Sequence, residues 1–380
     1  MRVSNARLFG ATMRSLNGPV APFKSDKAHN KGPVTFDRNF PVHRRVKAWE
    51  RDREDKESWF KRKHAHHHAK QKKREPQRDE KPEFPRSQAL RKTISQLKLN
   101  PLVEYLYGMN PVLAALKAKQ RESFGTLYLH NPKSTPKLAE ILALARELEL
   151  PVKSEYGKHD LNLMTKNGVH NGIVVETKPI EVEQLRCLLA AEVGKLTVMK
   201  EHVGTTESSV SSTAAERYPL VLYIDEISDP HNMGAIIRSA YFLGVDCVVV
   251  SERNCAPLSP VVSKTSSGAL EFLPIYSSQK PLRFFEESRS NGWTIISSVA
   301  LTSGSQFGSK TIDADALKEQ LQNGPCMLVV GSEGQGIRTS LLQRSDFLVS
   351  LKSSRADLDD SVDSLNASVA TALLLSKFYM

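Results

Sequence analysis

Between residues 218 and 350, short apolar runs recur with helical stretches between them. They include VLYIDEI (221–227), VDCVVVS (245–251), WTIISSV (293–299), CMLVVG (326–331) and DFLVSL (346–351). Runs that are apolar at nearly every position read as strands buried on both faces. Helices between parallel strands then cover both sides of the sheet, so this region predicts an α/β fold with a mainly parallel sheet. In such sheets the ligand-binding loops lie beyond the carboxyl ends of the strands.

Three segments occupy such loop positions. NMGAIIR (232–238) follows the first run, GSEGQGI (331–337) follows CMLVV, and SLNASVATALLLSKF (364–378) opens a long apolar helix. In the second, three glycines after a buried strand allow backbone to approach a ligand closely, with Glu333 in the turn. Without GK[ST] it is no phosphate loop of the nucleotidase type, and the dinucleotide fingerprint is missing too. A purely structural turn is the competing reading. Arg238 lies four residues beyond Gly234, where a guanidinium could clamp a phosphate, or simply sit on a helix surface. Ser364 and Asn366 suit helix capping, a role compatible with presenting free N–H groups to a ligand.

Upstream, residues 101–180 read as a small α/β module. Helices NPVLAALKAKQ and PKLAEILALARELE alternate with strands TLYLH, PVKSEY and GIVVETK. Residues 181–217, with most of the Ser/Thr-rich GTTESSVSSTAAERYP (204–219), read as a linker, with the last domain spanning 218–380.

Charge separates the N-terminus from the rest. Residues 1–100 hold 26 Lys+Arg against 11 Asp+Glu, whereas residues 101–380 hold 27 against 31. Residues 1–25 carry Arg2, Arg7, Arg14 and Lys24 with no acid, the composition of a mitochondrial presequence. Residues 26–100 are rich in Lys, Arg, Glu and Pro, and are expected to be disordered. His64, His66, His67 and His68 fall in that basic tract and read as solvated residues, with no metal expected. The run KRKHAHHHAKQKKR also suits a nucleus or nucleolus address, or a tail that binds phosphates. No segment reaches the length of a membrane span, so no membrane partner is expected. The four cysteines form no CxxC pair and read as small core residues.

The three segments, in their order, resemble the SpoU or TrmH-like family of RNA ribose 2′-O-methyltransferases in the SPOUT class. Asn232, Gly234 and Arg238 match its first motif, 331–337 its second, and 364–370 its third, while VVSKTSSGALE (261–271) is similar to its Lys/Ser/Gly-Ala segment. Residues 105–176 are similar to its small L30e-like RNA-binding domain, with HNG (170–172) where His-Gln-Gly is more usual. The resemblance implies a catalytic domain ending in a deep trefoil knot, S-adenosyl-L-methionine as cofactor, and a homodimer with the active site at the subunit interface.

It further implies cofactor contacts from Gly331, Gly336, Ile337, Leu351, Leu365 and Asn366. Arg238 would activate the ribose hydroxyl, with Asn232, Glu333, Ser364 and Asn366 fixing neighbouring groups. A departure is the acidic KSSRADLDDSVD (352–363), longer than the family's usual loop. With the presequence-like N-terminus and basic tail, the implied substrate is a guanosine ribose in mitochondrial large-subunit ribosomal RNA. The rivals are a tRNA 2′-O-methyltransferase and a noncatalytic RNA-binding ribosome-assembly factor.

Overall fold

The computed structural model describes residues 55–63, 97, 99–201, 206–211, 216–300, 310–355 and 364–380. The presequence-like residues 1–25, the histidine tract 64–68, and Asp357, Asp359, Asp360 and Asp363 lie outside them. The chain divides into two units, residues 1–89 and 90–380.

In the first unit, α1 (Lys56–Lys63) is a two-turn helix within the stretch expected to be disordered. Asp55 explains its start, because its carboxylate accepts the Glu57 N–H (3.0 Å) and its carbonyl the Trp59 N–H (2.9 Å).

The second unit contains two sheets. The smaller has four strands in the order β1-β4-β2-β3. Its elements are β1 (Glu104–Tyr107), α2 (Met109–Ala118), β2 (Phe124–Leu129), α3 (Pro136–Glu147), β3 (Val152–Lys153), α4 (Lys158–Met164) and β4 (Ile173–Thr177). The strand expected over 151–156 shrinks to two residues, since only Val152 and Lys153 pair with β2. Helix α3 begins at Thr135, whose hydroxyl accepts the Leu138 N–H, with Pro136 in the first turn.

The larger sheet follows. It comprises β5 (Glu183–Leu188), β6 (Lys195–Lys200), β7 (Thr206–Ser211), β8 (Leu220–Ile224), then α5 (Pro230–Phe242), β9 (Cys247–Ser251), α6 (Pro260–Thr265) and a 3-10 turn over Ala269–Glu271. Next come β10 (Ile275–Ser278), α7 (Pro281–Ser290), β11 (Thr294–Ser298), β12 (Thr311–Ile312), α8 (Leu317–Asn323), β13 (Cys326–Val330), α9 (Thr339–Leu342), β14 (Phe347–Val349) and α10 (Ala367–Lys377). The strand order is β12-β14-β11-β13-β8-β9-β10-β5-β6-β7.

All pairings from β12 to β5 are parallel, and β8, β9 and β13 are buried at every position. Alternate side chains point to opposite faces. Leu222, Ile224, Val248 and Leu328 thus join one core with α5 and α10. Val221, Tyr223, Val249 and Met327 join the other with Phe284, Phe285 and Trp293.

Residues 181–217, expected as a linker, instead supply β5, which pairs parallel with β10, and then β6 and β7, which extend the sheet by antiparallel pairing to its edge. Leu196 and Val198 of β6 turn inward with period 2, Leu185 and Leu188 of β5 do so across a register shift, and Val210 alone turns inward from the serines and threonines of β7.

Candidate active site

Strand order reverses between β8 and β13. From β8 the chain moves one way, to β9 and β10, while β13, β11 and β14 lie on the other side. A crevice opens at such a switch point beyond the strand ends. The loops after β8 and β13 meet there.

Each loop is shaped by identifiable contacts. After β8, Asp229 caps α5, its carboxylate accepting the His231 (3.0 Å) and Asn232 (3.3 Å) N–H groups, with Pro230 as first helical residue. After β13 the chain folds back on itself, and the Gly336 N–H donates to the Ser332 carbonyl (2.9 Å). A Cβ on Gly331 would come within 2.6 Å of the Gly336 oxygen and the Ile337 nitrogen, so the turn requires glycine there. Ile337 is buried in the second core and anchors the loop. Asn366 caps α10, accepting the Ser368 N–H (2.9 Å) and Ser368 hydroxyl (2.6 Å).

These three loops join through hydrogen bonds. Asn232 Nδ2 donates to Glu333 Oε1 (2.9 Å), and the Ala367 N–H donates to the same oxygen (3.1 Å). Asn366 Nδ2 donates to Asn232 Oδ1 (3.0 Å) and to Glu333 Oε1. Asn232, Glu333 and Asn366, separated by as many as 134 residues, thus form one cluster.

Ser364 and Leu365 are exposed just before the α10 cap, and Leu351 packs against the first core beyond β14. Arg238 is exposed on α5, and its side chain makes no hydrogen bond or ion pair with the described residues. Six residues beyond Asn232, it projects from a different side of that helix and stands apart from the cluster.

Sequence reasoning missed a supporting pair. Asp225, fully buried at the end of β8, receives a two-pronged contact from Arg338, with Nε 3.0 Å from Oδ2. That contact holds the Arg338 guanidinium above its ordinary pKa. It ties the β8 loop to the residue following GSEGQGI. A carboxylate directly ending an apolar run was the available signal. Gly234 provides a second support, because a Cβ there would lie 1.8 Å from Thr265 Oγ1, so glycine lets α5 pack closely on α6.

Comparison with known proteins agrees with this geometry. The profile of the SpoU rRNA Methylase family matches residues 219–376, that of an RNA 2′-O ribose methyltransferase substrate-binding domain residues 105–183, and that of the MRM1 N-terminal domain residues 4–101. The Saccharomyces cerevisiae protein "rRNA methyltransferase 1, mitochondrial" is 42% identical over 91% of this chain and 92% of its own length. This chain belongs to the SpoU rRNA methylase family.

Its SpoU relatives include the Homo sapiens protein of the same name, 33% identical over 74% of this chain and 75% of its own. A Pseudomonas putida 23S rRNA (guanosine-2'-O-)-methyltransferase, RlmB, is 30% identical over 72% of this chain and 94% of its own. Among solved structures, the SpoU methyltransferase AviRb of Streptomyces viridochromogenes, in complex with AdoMet, superposes with a TM-score of 0.53. That match covers 76% of this chain and 96% of that one at 19% identity, and establishes a shared fold.

Proposed function

We propose that this chain is an S-adenosyl-L-methionine-dependent methyltransferase that modifies a guanosine ribose 2′-hydroxyl in mitochondrial large-subunit ribosomal RNA. The carrying observation is the Asn232–Glu333–Asn366 cluster, which joins all three motif loops at the sheet's switch point. The names of the yeast and human relatives support both the RNA class and the mitochondrial compartment. The RlmB relative supports guanosine.

The residues fit the cofactor. A Cβ on Gly334 or Gly336 would meet no atom within 4 Å, so the turn presents open backbone on one side. Backbone of Gly331, Gly336, Ile337, Leu351, Leu365 and Asn366 would hold the cofactor, which supplies a methyl group on a sulfonium. Much of the rate then comes from positioning the hydroxyl in line with that group.

Asn232, Glu333 and Asn366 hold the loops in register, with Ser364 beside the α10 cap. Arg238 binds the neighbouring phosphate and the developing alkoxide rather than removing the proton.

A homodimer completes the site in this reading. Val369 and Leu373 lie exposed four residues apart on α10, with Leu365 exposed just before its cap, and Tyr241 and Phe242 are exposed at the end of α5 beyond Arg238. The catalytic domain is knotted, residues 101–180 bind RNA, and the basic extension strengthens that binding without reading sequence.

The test is methyl transfer from labelled S-adenosylmethionine by the purified chain to transcripts of mitochondrial large-subunit rRNA or tRNA, with 2′-O-methyl guanosine read by mass spectrometry. Product on the rRNA alone supports the reading. Product on tRNA alone, or RNA binding with no transfer, overturns it.

A further inference from the structure

The small sheet and the large one meet along a seam whose carboxylates are already engaged. Arg121, buried, donates from Nε and from NH2 to the two oxygens of the buried Glu271 (2.9 and 2.8 Å), and from NH1 to Glu104 (3.1 Å) and the Lys178 carbonyl (3.0 Å). The Ser263 hydroxyl donates to Glu271 as well (2.8 Å). Asn110 of α2 reaches across to the Ser267 hydroxyl (2.9 Å), and Lys137 donates to the same asparagine's oxygen (2.8 Å).

Lys264, on α6 three residues before Ser267, differs from these. Its side chain lies over Gly108, where an added Cβ would sit 2.4 Å from Nζ. It is half-buried, and among the described residues nothing hydrogen-bonds or ion-pairs with its ammonium. Burial pulls its ammonium below the ordinary lysine pKa. Basic groups of the small domain share its surroundings. Lys158, His130 and Lys264 all act on His170 to lower its pKa, after the larger effect of its burial. A partly desolvated ammonium among like charges carries a standing cost that an anion would remove.

We propose that Lys264, with Lys158 and the Lys137–Asn110 pair beside it, binds a phosphodiester of the substrate RNA at this seam. The proposal rests on the methyltransferase reading above and names how its substrate strand is held. Thr265, the next residue on α6, packs under Gly234 of α5, two residues from Asn232. Lys264 and Asn232 therefore sit on two helices packed against each other, with axes about 8–10 Å apart. A strand gripped by Lys264 would continue to the target ribose within a few nucleotides. Single-stranded RNA fits, because its splayed backbone can follow a basic groove.

The test uses the full chain and a large-subunit rRNA transcript, with affinity measured across a salt series for wild type, Lys264→Gln, Lys264→Arg and, as a surface control, Lys195→Gln. Lys264→Gln is expected to weaken binding about tenfold and to lower the slope of log affinity on log salt by about 0.7, one phosphate contact on a single strand. Lys264→Arg should keep most of the affinity, and in neither variant should melting temperature fall or affinity for S-adenosylmethionine change. An unchanged affinity and slope in Lys264→Gln, or an equal loss in Lys195→Gln, overturns the proposal. A wild-type chain that neither binds the transcript nor transfers a methyl group would instead overturn the underlying function.

Discussion

Asn366 donates its side-chain amide to Glu333, and that carboxylate also accepts the N–H of Ala367, the first residue of α10. The helix cap and the glycine turn are thereby one structure, with Asn232 as the third member. All three donors converge on Oε1, which the amide of Glu333→Gln also supplies, so the substitution removes the carboxylate charge and weakens three charge-assisted bonds in an exposed cluster. Stability should change by no more than about 0.5 kcal/mol. Methyl transfer is expected to fall about 10- to 100-fold at saturating substrates. Single-turnover rates check this, and an unchanged rate would remove Glu333 from the site.

Gly234→Ala places a Cβ against Thr265 Oγ1 and the Val262 carbonyl. Overpacking of this kind should destabilise the chain by about 1–3 kcal/mol, despite alanine's better helix propensity. Adding Thr265→Ala relieves the closest contact, so the double variant should recover part of the loss. Urea midpoints for the single and double variants test the coupling, which is absent if their effects merely add.

Arg338→Ala would strand the fully buried Asp225 carboxylate. Loss of such a partner costs about 3–5 kcal/mol, and the lower end applies because the Arg338 side chain is 37% exposed. Arg338→Lys should restore only part of that, since an ammonium cannot grip both oxygens. A melting temperature within error of wild type in Arg338→Ala would refute the role given to this pair.

His170 introduces a pH dependence. The Gly172 N–H donates to its Nδ1 (2.9 Å), so the ring proton sits on Nε2 and donates to Asn162 Oδ1 (3.0 Å). Burial, then the charges of Lys158, His130 and Lys264, hold its pKa below the ordinary 6.5. As pH falls through about 6.5 the unfolded chain takes up the proton first, so stability drops, and the loss is complete once pH passes below the folded value. Unfolding free energy should decline between pH 7.5 and 5.5, and less steeply in His170→Gln. Equal slopes would contradict this.

Much of the catalytic sheet was legible because β8, β9 and β13 are buried on both faces, which leaves an apolar run in the sequence. β7 was not, since TESSVS turns only Val210 into the core and takes its order from pairing with β6. β1 is too short to show a period. α4 starts at Gly157, whose N–H is accepted by Asp160 (3.0 Å), rather than at an apolar signal. Asn232, Glu333 and Asn366 could be named from motif order, but their hydrogen bonds could not. Asp225 with Arg338, and Arg121 with Glu271, are 113 and 150 residues apart, and no local pattern announces such pairs.

Arg238 is exposed and unpaired among the described residues, so Arg238→Ala should leave stability within about 0.5 kcal/mol of wild type. Its loss should fall on methyl transfer. The most direct test maps ribose methylation across mitochondrial and cytosolic rRNA and tRNA in cells with wild-type protein, none, or Arg238→Ala at equal abundance. The account predicts that one 2′-O-methyl guanosine in mitochondrial large-subunit rRNA disappears in both altered cells. If every methyl mark persists without the protein while ribosome assembly fails, the chain acts by binding RNA and the catalytic account is contradicted.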